Sequence, residues 1–162
     1  MRKEGVRIIR EYKMSLPVGP DEVFPLLCPV REYDWIPQWR CELVYSESGY
    51  AEPGCVFITD FDDGFGREVW VVTRYEPGAG ISFCKTGEHC TCRYLISLSQ
   101  DGEGTTAVWH QELTSLDTAG DDLLENYSEM SYITRMKMIE KMLEYYLING
   151  VCLPEEKMRR MQ

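Results

Sequence analysis

Two stretches of the 162-residue chain hold residue types that do chemistry. The first is His89-Cys90-Thr91-Cys92, with Cys84 a short turn upstream. Three thiolates and an imidazole make a tetrahedral zinc set when they converge. On a strand, however, Cys90 and Cys92 share one face while His89 takes the other, and C-x-C is not the spacing of a zinc knuckle. Cysteine is also a common small apolar core residue. The expectation is no metal and no other cofactor. The second stretch is His110 with Glu112, on one face of an alternating segment, with Tyr94 on the segment before it. A register pairing Ile96 with Val108 sets Tyr94 opposite His110 and Cys92 opposite Glu112, a set able to move protons. A slip of one residue sends His110 and Glu112 to solvent and turns Trp109 and Leu113 inward. Burial of Trp109 favours the slip. The catalytic residues are therefore unknown, with His110, Tyr94 and Glu112 as the candidates.

Other chemistries lack their signatures. Gly78-Ala79-Gly80 precedes a strand rather than a helix, so the dinucleotide fingerprint fails. There is no G-x-S-x-G elbow and no helical histidine pair. Asp60, Asp62, Asp63 and Gly64 lack the downstream glutamate of a calcium loop and read as a solvated hairpin turn.

Composition bounds the remaining classes. The chain is 44% hydrophobic and 27% charged, the balance of a globular domain. Its net charge of −10, with no concentrated basic patch, disfavours nucleic acid and anionic membrane surfaces. No apolar run reaches the roughly 20 residues that span a bilayer, and Met1-Arg2-Lys3-Glu4-Gly5 lacks the apolar core of a signal peptide. Seven cysteines, an odd number, read as free thiols of a cytoplasmic protein. Monomer and homodimer are both open.

The elements that must position these residues are legible as periods. Val6 to Leu16 alternates and reads as a strand. Asp21 is placed to cap a short helix from Glu22 to Leu27, and Val30 to Trp35 reads as a second. Six strands follow, at 42–46, 55–61, 68–75, 81–85, 90–99 and 105–114, separated by glycine- and proline-rich turns. From Asp121 to Asn149 there is no Pro or Gly, and the period changes to that of one long helix. Its stripe is Tyr132, Met136, Ile139, Leu143 and Tyr146, widened at the start by Leu123, Tyr127, Met130 and Ile133, with Glu140, Lys141 and Glu144 toward solvent. The expectation is one α+β domain over 1–162: a curved seven-stranded antiparallel sheet around a long C-terminal helix, with two short helices after strand 1. Its core runs from about residue 6 to 150, and 151–162 form a solvated tail. Such a sheet and helix cannot close their interior completely, which leaves an apolar cavity. Trp35 and Trp39 near its mouth, Phe57, Trp70, Tyr94 and Trp109 from the sheet, and Met136, Ile139 and Leu143 from the helix are the expected ligand-binding residues.

This order resembles the helix-grip fold of the START-like (SRPBCC) superfamily, which includes polyketide cyclase/dehydrase-type proteins. The run from Val23 through Phe24-Pro25-Leu26-Leu27-Cys28-Pro29 to Asp34-Trp35-Ile36-Pro37-Gln38-Trp39 resembles the signature of a bacterial group within it. The blocks Gly54–Thr59, Val69–Thr73 and Leu113–Leu116 are similar to later ones. The resemblance covers Val6 to Gly150 and carries over no catalytic set, because the fold hosts many functions. It implies a binding protein for an apolar or amphipathic small molecule, whether lipid, polyketide-like or aromatic. The alternatives it implies are a polyketide cyclase/dehydrase-type enzyme or a chaperone-activator-like interaction module.

Overall fold

The computed structural model describes residues 4–161; the leader reading at Met1, Arg2 and Lys3 lies outside the described residues. Seven strands form one antiparallel sheet: β1 (Arg7–Leu16), β2 (Glu42–Tyr45), β3 (Val56–Phe61), β4 (Gly66–Glu76), β5 (Gly80–Thr86), β6 (Cys90–Asp101) and β7 (Gly104–Ser115). Their spatial order is β1-β7-β6-β5-β4-β3-β2, so every neighbour is a hairpin partner except β1, which returns beside β7. Strand alternation decides which face packs. Along β7 the residues Ala107, Trp109, Gln111 and Leu113 are buried, while the residues between them keep part of their surface.

Proline sets the short elements after β1. Helix α1 (Pro20–Val23) starts with Pro20 in the first turn, where its missing N–H costs nothing, and its N-cap is Gly19 rather than Asp21. A 3₁₀ turn at Phe24–Leu26 continues it. The second short helix is a single 3₁₀ turn, Glu32–Asp34.

The long helix is two helices. α2 (Thr118–Asn126) is capped by Asp117, whose carboxylate accepts from Gly120 N at 2.8 Å. The chain breaks at Tyr127, and Ser128 caps α3 (Glu129–Asn149) by accepting from Ser131 N at 3.0 Å. Gly150, in the left-handed conformation at φ 70°, ends α3 by donating to Tyr146 O. The break resets the helical phase. Tyr132, Met136 and Leu143 are buried against the sheet and Ile139 and Tyr146 are half-buried, but Met130, expected in the stripe, is 78% exposed. Glu140 also departs from its expected place in solvent: it is half-buried and accepts from Tyr12 Oη and from Ser15 N. The helix is thereby tied to β1 by a carboxylate as well as by apolar contact.

The core does not stop at Gly150. α4 (Glu155–Arg159) follows, and Leu153 and Met158 are buried in the same cluster as α3, while Glu155, Glu156 and Lys157 stay in solvent. Cys152 Sγ reaches Asp34 O at 3.0 Å, which fastens this segment to the 3₁₀ turn. Among the described residues no helix is long and apolar enough to cross a membrane.

Candidate functional site

Between the concave face of the sheet and α3 lies a cavity of about 250 Å³. The inward parity of five strands builds its floor. Phe57 on β3 pairs with Trp70 on β4, and their rings stack at 5.2 Å with 18° between planes. Phe83 on β5 meets Trp70 edge-on at 5.5 Å, and Tyr94 on β6 packs against both Trp70 and Phe83. Trp109 on β7 extends the row, 6.1 Å from Tyr94. Met136 and Ile139 of α3 form the roof, and Trp35 and Trp39 close the end beside the 3₁₀ turn. All four tryptophans of the chain line this one space. Of the expected ligand-binding residues only Leu143 is missing from the wall; it is fully buried in the core beneath α3.

Three indoles are fixed by hydrogen bonds to the protein. Trp35 Nε1 donates to Leu26 O at 2.9 Å, Trp39 Nε1 to Pro29 O at 2.7 Å and Trp70 Nε1 to Thr59 Oγ1 at 2.8 Å. Trp109 Nε1 is buried without a partner among the described residues. These bonds hold large flat rings in one orientation, so the cavity's shape is preset rather than formed on binding.

The register between β6 and β7 pairs Ile96 with Trp109, Tyr94 with Gln111 and Cys92 with Leu113. The proton-transfer set is therefore not assembled. His110 and Glu112 point to the outer face, where His110 Nδ1 lies 2.7 Å from Glu11 Oε2 and Glu112 is 2.9 Å from Arg93 Nη1. The physical reason is the cost of leaving Trp109 and Leu113 in water. Gln111, one residue away, takes the inward place opposite Tyr94. Burial raises the Tyr94 phenol well above its ordinary value, so it serves as a neutral hydrogen-bonding group.

The cysteine–histidine cluster does not converge. Cys90 and Cys92 face the interior, Cys84 is exposed on the opposite face, and His89 Nδ1 lies 2.7 Å from Asp117. Burial pushes the Cys90 thiol up to about 11 and that of Cys92 up to about 12, which leaves both protonated and poorly nucleophilic. All seven cysteines are free thiols.

Sequence reasoning missed the charged residues of the cavity. Glu68 on β4 and Lys85 on β5 form an ion pair at 3.6 Å, with side-chain exposures of 6% and 12%. Asp63, expected on a solvated turn, reaches Arg135 of α3 at 3.5 Å and closes one side of the mouth. Glu32 lines the cavity from the 3₁₀ turn, and loss of water pushes its carboxyl up to about 8. Burial likewise raises Glu68, with Lys85 pulling the other way. The signal was present in the strand period: Glu68 shares parity with Trp70 and Val72, and Lys85 with Phe83 and Ile81.

No family model matches the chain, and no curated protein matches it. Solved structures do. Norcoclaurine synthase from Thalictrum flavum superposes with a TM-score of 0.67 at 7% identity, over 90% of this chain and 89% of that one. Ara h 8.0201 gives 0.62 at 16% identity, over 88% and 99%. DynU16, a protein of the dynemicin biosynthetic locus, gives 0.61 at 20% identity over 88% of this chain; the chain spans about half of that one, 48%. Together with the seven-stranded antiparallel sheet and the long C-terminal α3, these likenesses show that the chain has the helix-grip fold.

Proposed function

We propose that the chain binds a compact, ring-bearing small molecule in the cavity between sheet and α3. The observation that carries this reading is the wall itself: Phe57, Trp70, Phe83, Tyr94 and Trp109, one from each of five adjacent strands, and two tryptophans from the 3₁₀ end surround about 250 Å³ of space. A folded domain has no need to leave such a volume unfilled beside large apolar rings, because close packing would gain dispersion energy there. At about 250 Å³ the volume falls just below the roughly 300–1,000 Å³ common for small-molecule pockets. That size favours one or two fused rings over a long acyl chain. Two of the matching folds belong to a synthase and to a protein of a biosynthetic locus, which supports a small-molecule role without naming the molecule.

Trp35, Trp39, Phe57, Trp70, Tyr94, Trp109, Met136 and Ile139 are the proposed contacts. His110 and Glu112 have no part in this function, since both stand on the outer face of β7. Because every tryptophan lines the cavity, intrinsic fluorescence reports occupancy directly. Titration of the folded protein with naphthalene should quench or shift that emission with saturation. Native mass spectrometry of freshly purified protein should retain a small molecule. Absence of saturable binding by any apolar aromatic probe, with no retained molecule, would sink the proposal.

A further inference from the structure

The cavity wall holds one feature that a purely apolar container does not need. A buried ion pair gains little over apolar residues of the same volume, because both charges lose their water. Yet Lys85 and Glu68 lie among the aromatic rings of the floor, on strands whose neighbouring inward positions are Trp70, Val72, Phe83 and Ile81. The pair is also incomplete. At 3.6 Å its contact is longer than a good hydrogen bond, and Glu68 engages at most one of the three N–H donors of Lys85 Nζ. What holds the ammonium is a set of ring faces: Trp70 at 4.8 Å, Tyr94 at 5.8 Å and Phe65 at 5.9 Å. An ammonium with three donors, and a carboxylate beside it, therefore line the space with hydrogen-bonding capacity left over.

We infer that Lys85 and Glu68 anchor a ring-borne hydroxyl, so that the ligand is a hydroxyarene or a cyclic enol; this rests on the proposed binding in the cavity. A hydroxyl supplies what the pair lacks on both sides. Its oxygen accepts from Lys85 Nζ while its O–H donates to the Glu68 carboxylate. An ether or ketone oxygen serves Lys85 alone, and an amine donor serves Glu68 alone. A carboxylate ligand at Lys85 sets a like charge directly against the adjoining Glu68. Bonds to charged partners are the stronger class, and a site with little water strengthens them further. The ring attached to that hydroxyl then lies where Trp70, Phe83 and Tyr94 meet. The apolar wall would supply affinity, and the pair would supply orientation and selection.

The test compares three probes of one ring system by equilibrium dialysis against the full chain: 2-naphthol, 2-methoxynaphthalene and naphthalene. 2-Naphthol should bind about ten- to a hundredfold more tightly than 2-methoxynaphthalene, the gain of a hydroxyl that meets charged partners. Lys85→Met should reduce that advantage to within about threefold. Glu68→Gln, close in shape, should weaken the advantage as well. Equal affinity of the unaltered protein for 2-naphthol and 2-methoxynaphthalene overturns the inference and leaves the cavity reading standing, with no variant needed. A naphthol advantage that survives either substitution overturns it too. If none of the three probes binds, both readings fall.

Discussion

The two faces of the sheet use the same residue types to opposite effect. On the outer face, Arg93, Glu112, His110 and Glu11 run across β6, β7 and β1 with contacts of 2.7 to 3.4 Å. They keep part of their surface in water, which screens them, and exposed pairs of this kind contribute roughly 0–1 kcal/mol. On the inner face, Glu68 and Lys85 stand farther apart but sit among rings. There a longer contact carries more consequence, because water no longer competes for either group. Proximity in sequence and ideal geometry are thus poor guides to which acid or base matters. The medium around the group decides.

That contrast can be broken most forcefully by exporting a charge inward without a partner. Met136 is 1% exposed in the cavity roof, and Met136→Asp should cost on the order of 4 kcal/mol in urea denaturation. A loss below about 1 kcal/mol would mean that the interior is wetter than its lining implies.

Glu32 gives the next largest effect, and it depends on pH. Its carboxyl is raised to about 8 in the folded state from an ordinary 4.5, so the folded chain holds this proton more tightly than the unfolded one. The associated stability is complete below the unfolded value and is lost as pH rises through about 8. Glu32→Gln, which cannot ionise, should therefore match the parent at pH 4 and exceed it by on the order of 2 kcal/mol at pH 9. Urea midpoints at the two pH values check this; an equal offset at both would reassign the effect to packing.

Volume alone should matter next. Met136→Trp fills space without adding an unpaired charge, and should weaken naphthalene binding by roughly tenfold while the fold persists. Tryptophan emission and circular dichroism would read the two outcomes separately. The smallest effect belongs to the outer face. His110→Ala should leave both naphthalene affinity and stability nearly unchanged, within about twofold and 0.5–1 kcal/mol. A loss of binding on that substitution would erase the distinction between the faces.

Much of the fold was readable because its forces are periodic. Alternation located all seven strands to within about two residues, whereas the β6–β7 register stayed open in the sequence, with burial of Trp109 favouring the one that forms. The helix break at Tyr127 was not readable in the same way, since no glycine or proline marks it. Its signal is the serine cap Ser128, weaker in composition than in geometry. The charged part of the cavity was missed for a different reason. Acids and bases are ordinarily assigned to solvent, and only the shared parity of Glu68 with Trp70, and of Lys85 with Phe83, contradicts that assignment. Met158 shows the same point at the end of the core, where one apolar residue among charges anchors a turn of helix.

The place of β1 has a consequence for how the chain comes to be made. Its sheet neighbour is β7, with Arg7 opposite Thr114 and Leu16 opposite Thr105, so about a hundred residues must be synthesised before the strand finds its edge. At roughly 5–20 residues per second, that is a wait of roughly 5–20 seconds on the ribosome. The hairpins from β3 to β7 close locally in that interval, whereas β1 has its inward residues Tyr12, Met14 and Leu16 uncovered. Folding of this domain is therefore gated by its first strand, and chaperone dependence during translation should concentrate on residues 7–16.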